Sequence, residues 1–406
     1  MAGTDTMVII GGGLTAAKAA EGLRNGGFDG RVALVGAEPH LPYERPPLSK
    51  GYLLGDDDLD SVFVHAPTWY DEHDIALHLG SPATTLDVDT HTVTTGDREI
   101  GYDRLLVATG STPRRLEVAD RSGAAVAYLR TIEDSRRLKA ALQPGRHVAV
   151  IGGGWIGLEV AAAARTAGCA VTVVEALEKP LLHTLGPEVA DLFATLHESH
   201  GVHLRTNASV SAVVADAERC VVRLDDGSSV EADLLVVGVG ARPTTDLAET
   251  AGLDTDNGIV VDEHLRTSDP DVFAAGDVAN AYHPRLGRHL RVEHWDNAIE
   301  QGRAAARSML GSDEAYDRLP YFFTDQYDLG MEYVGSIGPD GYDEVVLRGD
   351  VTGGVFTAFW LADGRVLAGM HANDWDAMEP MRRIVGRAVD LAGLRDVDVP
   401  LARLTA

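Results

Sequence analysis

Residues 8–23, VIIGGGLTAAKAAEGL, and residues 148–164, VAVIGGGWIGLEVAAAA, carry the same pattern twice in one chain. In each copy an aliphatic run leads into a glycine-rich turn, and an alanine-rich stretch follows. The spaced small residues are Gly11, Gly13 and Ala16 in the first copy and Gly152, Gly154 and Gly157 in the second. In such a strand–turn–helix the first glycine permits the tight turn, the second lets backbone approach a pyrophosphate, and the third small residue lets the helix pack on the strand. The repeat therefore predicts two dinucleotide sites, with Leu14 and Ile156 among their contacts.

An acidic residue follows a second strand-like run after each turn. RVALVGAEP at 31–39 contains Glu38, and AVTVVEA at 170–176 contains Glu175. A carboxylate at this position can accept hydrogen bonds from the hydroxyls of an adenosine ribose. Because Glu175 would repel a 2′-phosphate and no arginine follows it closely, we expect the second site to prefer NADH. A glycine loop without a ligand is the alternative for one such motif, and two complete copies argue against it.

Composition bounds the class of protein. The chain has 406 residues, 45% of them hydrophobic, which suggests two or three domains with real cores. Its apolar runs fall short of the roughly 18 residues of a membrane span, and the opening residues 1–13 have no signal-peptide or transit-peptide pattern, so we expect a cytoplasmic protein. The formal net charge of −27 argues against binding to nucleic acid or to an anionic membrane.

The two cysteines, Cys169 and Cys220, lie far apart within apolar stretches, so we expect buried thiols. There is no CxxC or CxxxxC motif. Oxidoreductases that pass electrons to a disulfide need two cysteines that can pair beside the redox group, so this relay is not expected here. The histidines are scattered without the spacing of metal ligands, and we predict no metal site.

Two strand-like segments end alike, YDRLLVATGSTP at 102–113 and ADLLVVGVGARPTT at 232–245. Each reaches a glycine turn, at Gly110 and at Gly240, and then a proline. Such an ending brings backbone to a dinucleotide and turns the chain away, which adds Gly240 to the second predicted site. Beyond Pro320 the alternating, aromatic-bearing segments with Asp-Gly and Gly-Gly turns predict an antiparallel sheet, and helices follow it.

Several longer motifs are characteristic as a set: LVGAEPHLPYERPPLSKGYL at 34–53, ATG at 108–110, GGGWIGLE at 152–159, VFAAGDVA at 272–279, RVEHWDNAIEQG at 291–302 and PYFFTDQYDL at 320–329. Across essentially the whole chain they resemble the FAD-dependent NADH:ferredoxin reductase family, the reductase components of bacterial oxygenase and cytochrome P450 systems. The resemblance implies an α/β fold with two Rossmann-like dinucleotide-binding domains of glutathione-reductase topology plus a C-terminal α+β domain. The expected boundaries are 1–113 and 246–318 for the FAD-binding domain, 114–245 for the NADH-binding domain, and 319–406 for the C-terminal interface domain.

The resemblance assigns catalytic roles to two residues. Lys50, the last residue of PPLSK, would lie beside the flavin and stabilise the charge that develops when hydride arrives. A surface lysine is the alternative. Glu159, on the first turn of the second nucleotide helix, would lie near the nicotinamide and could pair with Lys50. Its alternative is a helix-start carboxylate favoured by the helix dipole.

Further FAD contacts are implied by the same comparison of motifs. Asp277, which follows Gly276 in VFAAGD, would accept the hydroxyls of the ribityl chain, with a turn-forming aspartate as the alternative. Trp295 and the helix expected to begin near Asp296 would present donors and a positive helix end to the flavin pyrimidine, although Trp295 is equally compatible with an ordinary core. Ala83 and Arg130 match positions that contact FAD in related reductases.

The implied activity passes electrons from NADH through FAD, one at a time, to a small iron–sulfur ferredoxin that serves a cytochrome P450 or a ring-hydroxylating oxygenase. One alternative is an NADH oxidase or NADH:quinone reductase of the same fold, although Leu48–Lys50 holds no cysteine of the kind that cysteine-dependent oxidases need. A second is a flavin-bound signalling protein like apoptosis-inducing factor, against whose DNA contact the net charge argues.

Two arginine groups are candidate ferredoxin contacts: Arg382, Arg383 and Arg387, and Arg285, Arg288 and Arg291. Pairing with the chain's own carboxylates is their alternative.

Overall fold

A computed structural model describes residues 5–216 and 219–405. Residues 1–4 of the opening segment, residues 217 and 218, and residue 406 of the expected C-terminal domain lie outside the described residues. The chain divides into two compact units, each assembled from three separate stretches. The first unit comprises Met1–Pro46, Asp58–Thr112 and Ala241–Arg318, and the second comprises Pro47–Asp57, Pro113–Gly240 and Leu319–Ala406.

A five-stranded parallel sheet forms the centre of the first unit. Its strands, in spatial order, are Val272–Ala274, Arg104–Val107, Thr6–Ile10, Arg31–Val35 and Ile75–His78. They read as nearly continuous aliphatic runs because both faces of a parallel sheet are covered. Helices Leu14–Asn25 and Trp295–Met309 pack closely on each other, and glycine makes the approach possible, since a Cβ at Gly302 would lie 2.6 Å from the carbonyl oxygen of Thr15.

Smaller sheets and short helices complete the first unit. One antiparallel sheet contains Ala83–Asp87, Thr92–Thr95 and Arg98–Gly101. A second three-stranded sheet contains Ile259–Val261, Ala279–His283 and Arg288–Arg291, and the strands Ser111–Pro113 and Ala241–Pro243 pair with each other. The short helical segments are Leu59–Val62, Pro67–Glu72, Asp246–Thr250 and Gly276–Val278.

The second unit contains another five-stranded parallel sheet. Its strands, in spatial order, are Val202–Arg205, Ala170–Val174, His147–Ile151, Leu234–Val237 and Val126–Ala127. The helices around it are Ile132–Ala141, Trp155–Thr166 and Leu182–Ser199, with the shorter Gly51–Leu54 and Glu117–Asp120, and a 3-10 turn spans Pro46–Ser49. Thr131 and Asp134 form a capping box that fixes the start of the first of these helices. An antiparallel sheet of Val210–Asp216, Arg219–Leu224 and Ser229–Ala232 lies beside them.

The remainder of the second unit is a five-stranded antiparallel sheet, here called the C-terminal sheet. Its strands, in spatial order, are Tyr321–Gln326, Leu329–Gly335, Arg365–Ala372, Val355–Ala362 and Glu344–Asp350. The predicted sheet is confirmed, and the predicted turns lie at Gly353–Gly354 and Asp363–Gly364. Helices Met378–Ile384 and Leu391–Arg395 and the 3-10 segment Leu401–Thr405 follow.

Hydrophobic packing joins the C-terminal sheet to the nucleotide-type part of the second unit. Phe322, Met331 and Trp360 face the same core as Leu158 and Phe193. The indole Nε1 of Trp360 donates to the carbonyl oxygen of Leu185 over 2.9 Å, so its polar group is satisfied although the side chain is fully buried.

Within the described ranges, the helices are all too short or too polar to cross a membrane.

Candidate functional site

Predicted contacts of the first unit meet at one edge of its parallel sheet. Gly11 follows the strand Thr6–Ile10, Glu38 lies beyond Arg31–Val35, Gly110 beyond Arg104–Val107, and Asp277 beyond Val272–Ala274. These strands are parallel neighbours, so their carboxyl ends lie side by side. The carboxyl edge of such a sheet is where open α/β folds bind their ligands.

In the first glycine turn, packing of the protein explains one glycine, and space for a ligand explains another. Gly11 has φ +137°, and a Cβ there would lie 2.1 Å from the carbonyl oxygen of Ala108, so packing alone requires glycine. Gly13, in contrast, has φ −101° and ψ −170°, and a Cβ there would meet no atom within 4 Å. The space above Gly13 at the start of helix Leu14–Asn25 therefore fits a cofactor phosphate, and the buried Ala16 provides the third small position.

Glu38 already has two donors from its own chain. The Tyr43 hydroxyl donates to Oε2 over 2.5 Å, and Arg45 Nη2 donates to Oε1 over 3.1 Å. Burial opposes the charge of the Arg45 guanidinium, but the Tyr43 oxygen and the Glu38 carboxylate outweigh it and raise its pKa. Sequence reasoning did not single out Tyr43 or Arg45, although both lie in the motif run at 34–53. The carboxylate retains lone pairs that a ribose hydroxyl could use.

Asp277 is half-buried at the end of a strand and has a defined orientation. Gly276 before it has φ +81°, and a Cβ there would lie 2.4 Å from Thr15 Oγ1. The Ser111 hydroxyl donates to Asp277 Oδ2 over 2.8 Å, which fixes the orientation of the carboxylate at the carboxyl edge of the sheet. Ser111 was not predicted, and its place in the turn after ATG was the available signal.

Trp295 begins its helix instead of preceding it. The helix spans Trp295–Met309 and is preceded by His294. The Trp295 side chain is half-buried, and its Nε1 donates to Glu44 Oε2 over 3.1 Å, so it differs from a fully enclosed core residue. Asp296 is occupied by a bidentate pair with Arg318, at 2.7 and 2.8 Å. Ala83 is the half-buried first residue of strand Ala83–Asp87 and packs against the core of the first unit.

The second glycine turn repeats the geometry of the first. Gly152 has φ +101° with a Cβ position 2.4 Å from the carbonyl oxygen of Gly238, and a Cβ at Gly157 would lie 2.1 Å from the carbonyl oxygen of Gly152. At Gly154 a Cβ would again meet no atom within 4 Å. Two turns thus combine two packing-enforced small positions with one position whose space stays open, which fits a pyrophosphate in each.

Three further predicted contacts lie in the second unit: Ile156 and Gly240, predicted for the second nucleotide, and Arg130, predicted for FAD. Ile156, on the first turn of helix Trp155–Thr166, is 45% exposed, so its side chain is accessible to a ligand. Gly240 has φ +99°, and its carbonyl oxygen accepts from the backbone N–H of Arg114 over 2.9 Å. Arg130 is half-buried just before the helix Ile132–Ala141, and its backbone N–H donates to Asp134 Oδ2.

Glu175 contacts the glycine turn directly. Its Oε2 accepts from the backbone N–H of Gly153 over 2.6 Å, and its Oε1 accepts from the backbone N–H of Leu177 over 2.8 Å. The carboxylate therefore ties the end of strand Ala170–Val174 to the turn that would hold the pyrophosphate. Sequence reasoning predicted its place but not these two hydrogen bonds, since backbone donors leave no side-chain signature.

The Glu159 carboxylate is the junction of three segments of the second unit. Lys50 Nζ lies 2.6 Å from Oε1, Ser49 Oγ donates to Oε2 over 2.5 Å, and Thr324 Oγ1 donates to Oε1 over 2.7 Å. Glu159 is 5% exposed and is the fifth residue of its helix, beyond the first turn on which we expected it. A dipole-favoured carboxylate at the helix start does not describe this position. Ser49 and Thr324 were not predicted, although Ser49 lies in the motif at 34–53 and Thr324 in the motif at 320–329.

Lys50 is not a solvent-facing surface lysine. Its side chain is 18% exposed, and the ammonium lies 5.7 Å from the centre of the Phe323 ring. A cation held between a carboxylate and an aromatic ring is fixed in position before any ligand binds, which is the property that electrostatic catalysis requires.

The cysteines are confirmed as buried free thiols. Cys169 and Cys220 are both buried and unpaired with each other, and burial raises the pKa of each thiol. A buried thiol that resists ionisation is a poor redox nucleophile.

The two arginine groups differ in how their charges are used. In the second unit, Arg383 pairs with Glu379 over 2.8 Å, and the Arg382 guanidinium lies 4.6 Å from the centre of the Tyr321 ring. In the first unit, Arg291 pairs with Glu293, and its side chain is only 12% exposed. Arg291 is thus less suited to an external partner than the exposed Arg383 and Arg387.

Comparison with known proteins places this geometry. Residues 5–302 match the family model described as pyridine nucleotide-disulphide oxidoreductase, and residues 321–405 match the reductase C-terminal model. The chain is 41% identical over 402 residues to the ferredoxin–NAD(+) reductase component of the anthranilate 1,2-dioxygenase system of Burkholderia cepacia, covering 98% of each chain. It is 36% identical to putidaredoxin reductase of Pseudomonas putida, covering 100% of this chain and 98% of the relative.

Solved structures agree. The reductase in the crystal structure of the covalent putidaredoxin reductase–putidaredoxin complex has a TM-score of 0.95 and 36% identity, over 99% of this chain and 98% of that chain. The ferredoxin reductase for the CYP199A2 system of Rhodopseudomonas palustris has a TM-score of 0.95 and 35% identity, over 99% of this chain and 100% of that chain.

These matches confirm the predicted fold class, two dinucleotide-binding domains with a C-terminal reductase domain. Family members of this kind are FAD flavoproteins, and the two turns with open second glycines fit a dinucleotide each. The chain belongs to the pyridine nucleotide-disulphide oxidoreductase family and, within it, to the FAD-dependent NADH:ferredoxin reductases.

Proposed function

We propose that this protein is an NADH:ferredoxin reductase that delivers electrons, through FAD, to a small iron–sulfur ferredoxin serving a cytochrome P450 or a ring-hydroxylating oxygenase. The single observation that carries the proposal is the pair of glycine turns, at Gly11–Gly13 and Gly152–Gly154, whose second glycines leave space that the protein does not fill. Two of the relatives named above are the ferredoxin–NAD(+) reductase component of a dioxygenase system and the ferredoxin reductase for the CYP199A2 system, which supports this class of acceptor.

In this proposal FAD is held by the first turn, with Glu38 and Asp277 as acceptors for its hydroxyls, and NADH by the second turn. Bound FAD supplies the chemistry, since it accepts a hydride and returns the two electrons singly. The protein contributes position and charge. Lys50 provides a fixed cation, and Glu159 holds that cation at 2.6 Å.

Ala83, Arg130 and Trp295 are proposed as further FAD contacts on the strength of the family motifs. For the domains we retain 1–113 with 246–318 for FAD, 114–245 for NADH and 319–406 for the C-terminal domain. Because the reaction consumes NADH, we also propose a cytoplasmic location.

The rival activities of the same fold differ in their acceptor. Burial of both thiols speaks against an oxidase or peroxidase that works through cysteine. Reduction of a quinone needs no cysteine, so it must be separated by experiment.

The experiment measures cytochrome c reduction by NADH with the purified protein, with and without a purified ferredoxin from an oxygenase system. We expect sustained reduction only when the ferredoxin is present. Equal rates without it, or faster turnover with a soluble quinone than with any ferredoxin, would reject the proposal.

A further inference from the structure

A buried polar chain leads away from the Glu159 carboxylate inside the second unit. Thr324 Oγ1 donates to Glu159 Oε1 over 2.7 Å, and Gln326 Nε2 donates to Thr324 Oγ1 over 3.1 Å. His197 Nε2 lies 2.7 Å from Gln326 Oε1, and the Tyr327 hydroxyl lies 3.4 Å from His197 Nδ1. The chain thus joins the active-site carboxylate to the long helix Leu182–Ser199.

The burial of these residues makes the arrangement unusual. Thr324 and Gln326 are each 1% exposed and His197 is fully buried, beside the apolar core that contains Phe322 and Phe193. A buried polar side chain is costly unless its partners are satisfied, and apolar residues of similar size could fill a sheet face without that risk. Three buried polar residues that are joined to one another by hydrogen bonds therefore indicate a role beyond packing.

The hydrogen bonds all point in one direction. An ionised carboxylate can only accept, so Thr324 must donate to Glu159, and its oxygen then accepts from the Gln326 amide. The amide oxygen of Gln326 consequently faces His197, which must carry its hydrogen on Nε2. Burial lowers the pKa of His197 to about 4, so the ring is neutral near pH 7 and its Nδ1 can accept from Tyr327.

We propose that Thr324, Gln326 and His197 are positioning residues that hold the Glu159 carboxylate, and through it the Lys50 ammonium, in the orientation used for hydride transfer. Aligned hydrogen bonds of this kind reinforce one another in a buried site. The Gln326 amide can donate and accept but does not readily pass a proton onward, so the chain orients the carboxylate and does not conduct protons. This inference rests on the function proposed above, because it concerns the same pair.

The decisive substitutions separate the hydroxyl of Thr324 from its shape. Thr324→Val keeps the volume and removes the donor, whereas Thr324→Ser keeps the donor and removes a methyl group. Stopped-flow bleaching of the bound flavin by NADH, without ferredoxin, reports the step. We expect Thr324→Val to slow the limiting rate about tenfold, the effect of one lost hydrogen bond in the transition state, with little change in the NADH concentration giving half the maximal rate. Thr324→Ser should stay within about twofold of the parent protein.

Thr357→Val is the matched control. Thr357 is 2% exposed on another strand of the C-terminal sheet and lies outside the chain of hydrogen bonds. Its substitution should leave the bleaching rate unchanged. The inference is overturned if Thr324→Val bleaches at the parent rate, or if Thr324→Ser is as slow as Thr324→Val, since that pattern denotes packing.

A readout independent of turnover tests the far end of the chain. Nitrogen NMR of the full chain, with labelled histidine, should show His197 as the neutral Nε2–H tautomer at pH 7, and Gln326→Leu should shift that signal. The Nδ1–H tautomer would contradict the proposed direction of the hydrogen bonds.

The two proposals fail in different ways. If NADH does not bleach the flavin of the parent protein, the proposed reductase function itself is wrong. If the parent bleaches and Thr324→Val bleaches equally fast, the positioning role alone is wrong.

Discussion

Lys50 Nζ lies 2.6 Å from Glu159 Oε1, although 109 residues separate the two along the chain. The side chains are 18% and 6% exposed, so water screens the pair weakly. The lysine charge is therefore balanced by the protein itself. Removing either partner leaves the other largely buried without its counter-charge, which links the stability of the second unit to the same pair that we propose for catalysis.

The first prediction concerns Lys50→Met. We expect the flavin to remain bound while its reduction by NADH slows by about 10²-fold or more, since the lost cation acts on charge that grows during hydride transfer. Glu159→Gln should slow the same step less. Stopped-flow bleaching and the flavin content of the purified variants measure both effects, and an unchanged bleaching rate in Lys50→Met would refute the role.

A double variant separates stability from rate. Lys50→Met should lower the melting temperature because Glu159 loses its counter-charge, and Lys50→Met combined with Glu159→Gln should recover part of that loss. The slow bleaching should persist in the double variant. Recovery of both properties together would mean that the slow rate reflects damage to the fold.

The second prediction concerns Glu175, whose carboxylate accepts from the backbone N–H groups of Gly153 and Leu177. The parent protein should use NADH far better than NADPH, because the carboxylate would repel a 2′-phosphate. Glu175→Ala should raise the Michaelis constant for NADH about tenfold or more, since one lost hydrogen bond to a charged group is worth about 1.5–3 kcal/mol.

The gain of Glu175→Ala in NADPH activity should be smaller than its loss of NADH activity. Removing Glu175 also frees the backbone of the glycine turn, which both coenzymes need. Steady-state kinetics with each coenzyme test this expectation. If Glu175→Ala uses NADPH as well as the parent uses NADH, the hydrogen bonds from the two backbone N–H groups to Glu175 are unimportant.

Local motifs predicted the nucleotide turns because the pattern itself contains the physical reason. Gly11 and Gly152 have positive φ, and each lies so close to the backbone that follows an adjacent strand that a Cβ would clash with it. The antiparallel C-terminal sheet was predictable from alternation and from its Asp-Gly and Gly-Gly turns. The position of Glu159 was less accurate, since helix starts are difficult to place within one turn.

The environment of the carboxylates was not predictable, because it depends on residues distant in sequence. Ser111 meets Asp277, and Thr324 meets Glu159, across 166 and 165 residues. Such contacts follow from the arrangement of sheets and leave no periodic signal. The polar residues on the first strand of the C-terminal sheet resembled an ordinary alternating strand until the structure showed what they face.

The third prediction concerns pH. Burial lowers the pKa of His197 to about 4 from an ordinary 6.5, so the unfolded chain binds more protons than the folded one between those values. Stability from this group is complete above about pH 6.5 and is lost as the pH falls toward 4, by up to roughly 3 kcal/mol. In His197→Phe the melting temperature should fall less steeply across this window.

Exposed His203, on the strand Val202–Arg205, provides the control. His203→Phe should retain the steep parent dependence of melting temperature on pH. An equally steep dependence in His197→Phe would show that other groups cause the acid sensitivity.

The last prediction concerns docking of the ferredoxin. A ferredoxin is usually acidic, and a chain of net charge −27 should repel it at long range. Because the Debye length is about 8 Å at physiological salt, a local group of arginines can still dominate the contact. Arg383 and Arg387 are exposed. The ion pair between Arg383 and Glu379 is weak because the two side chains are 58% and 71% exposed, so Arg383 can also interact with a partner.

We therefore expect Arg383→Glu combined with Arg387→Glu to raise the apparent Michaelis constant for ferredoxin, mainly through slower association at low salt. Arg382 is left in place because it packs over the Tyr321 ring. Reduction of ferricyanide should be unaffected, and Arg223→Glu, at an exposed position of strand Arg219–Leu224, should change neither reaction. If ferredoxin kinetics in the double variant match the parent across a salt series, these arginines do not form the dock, and Arg285 and Arg288 become the residues to test.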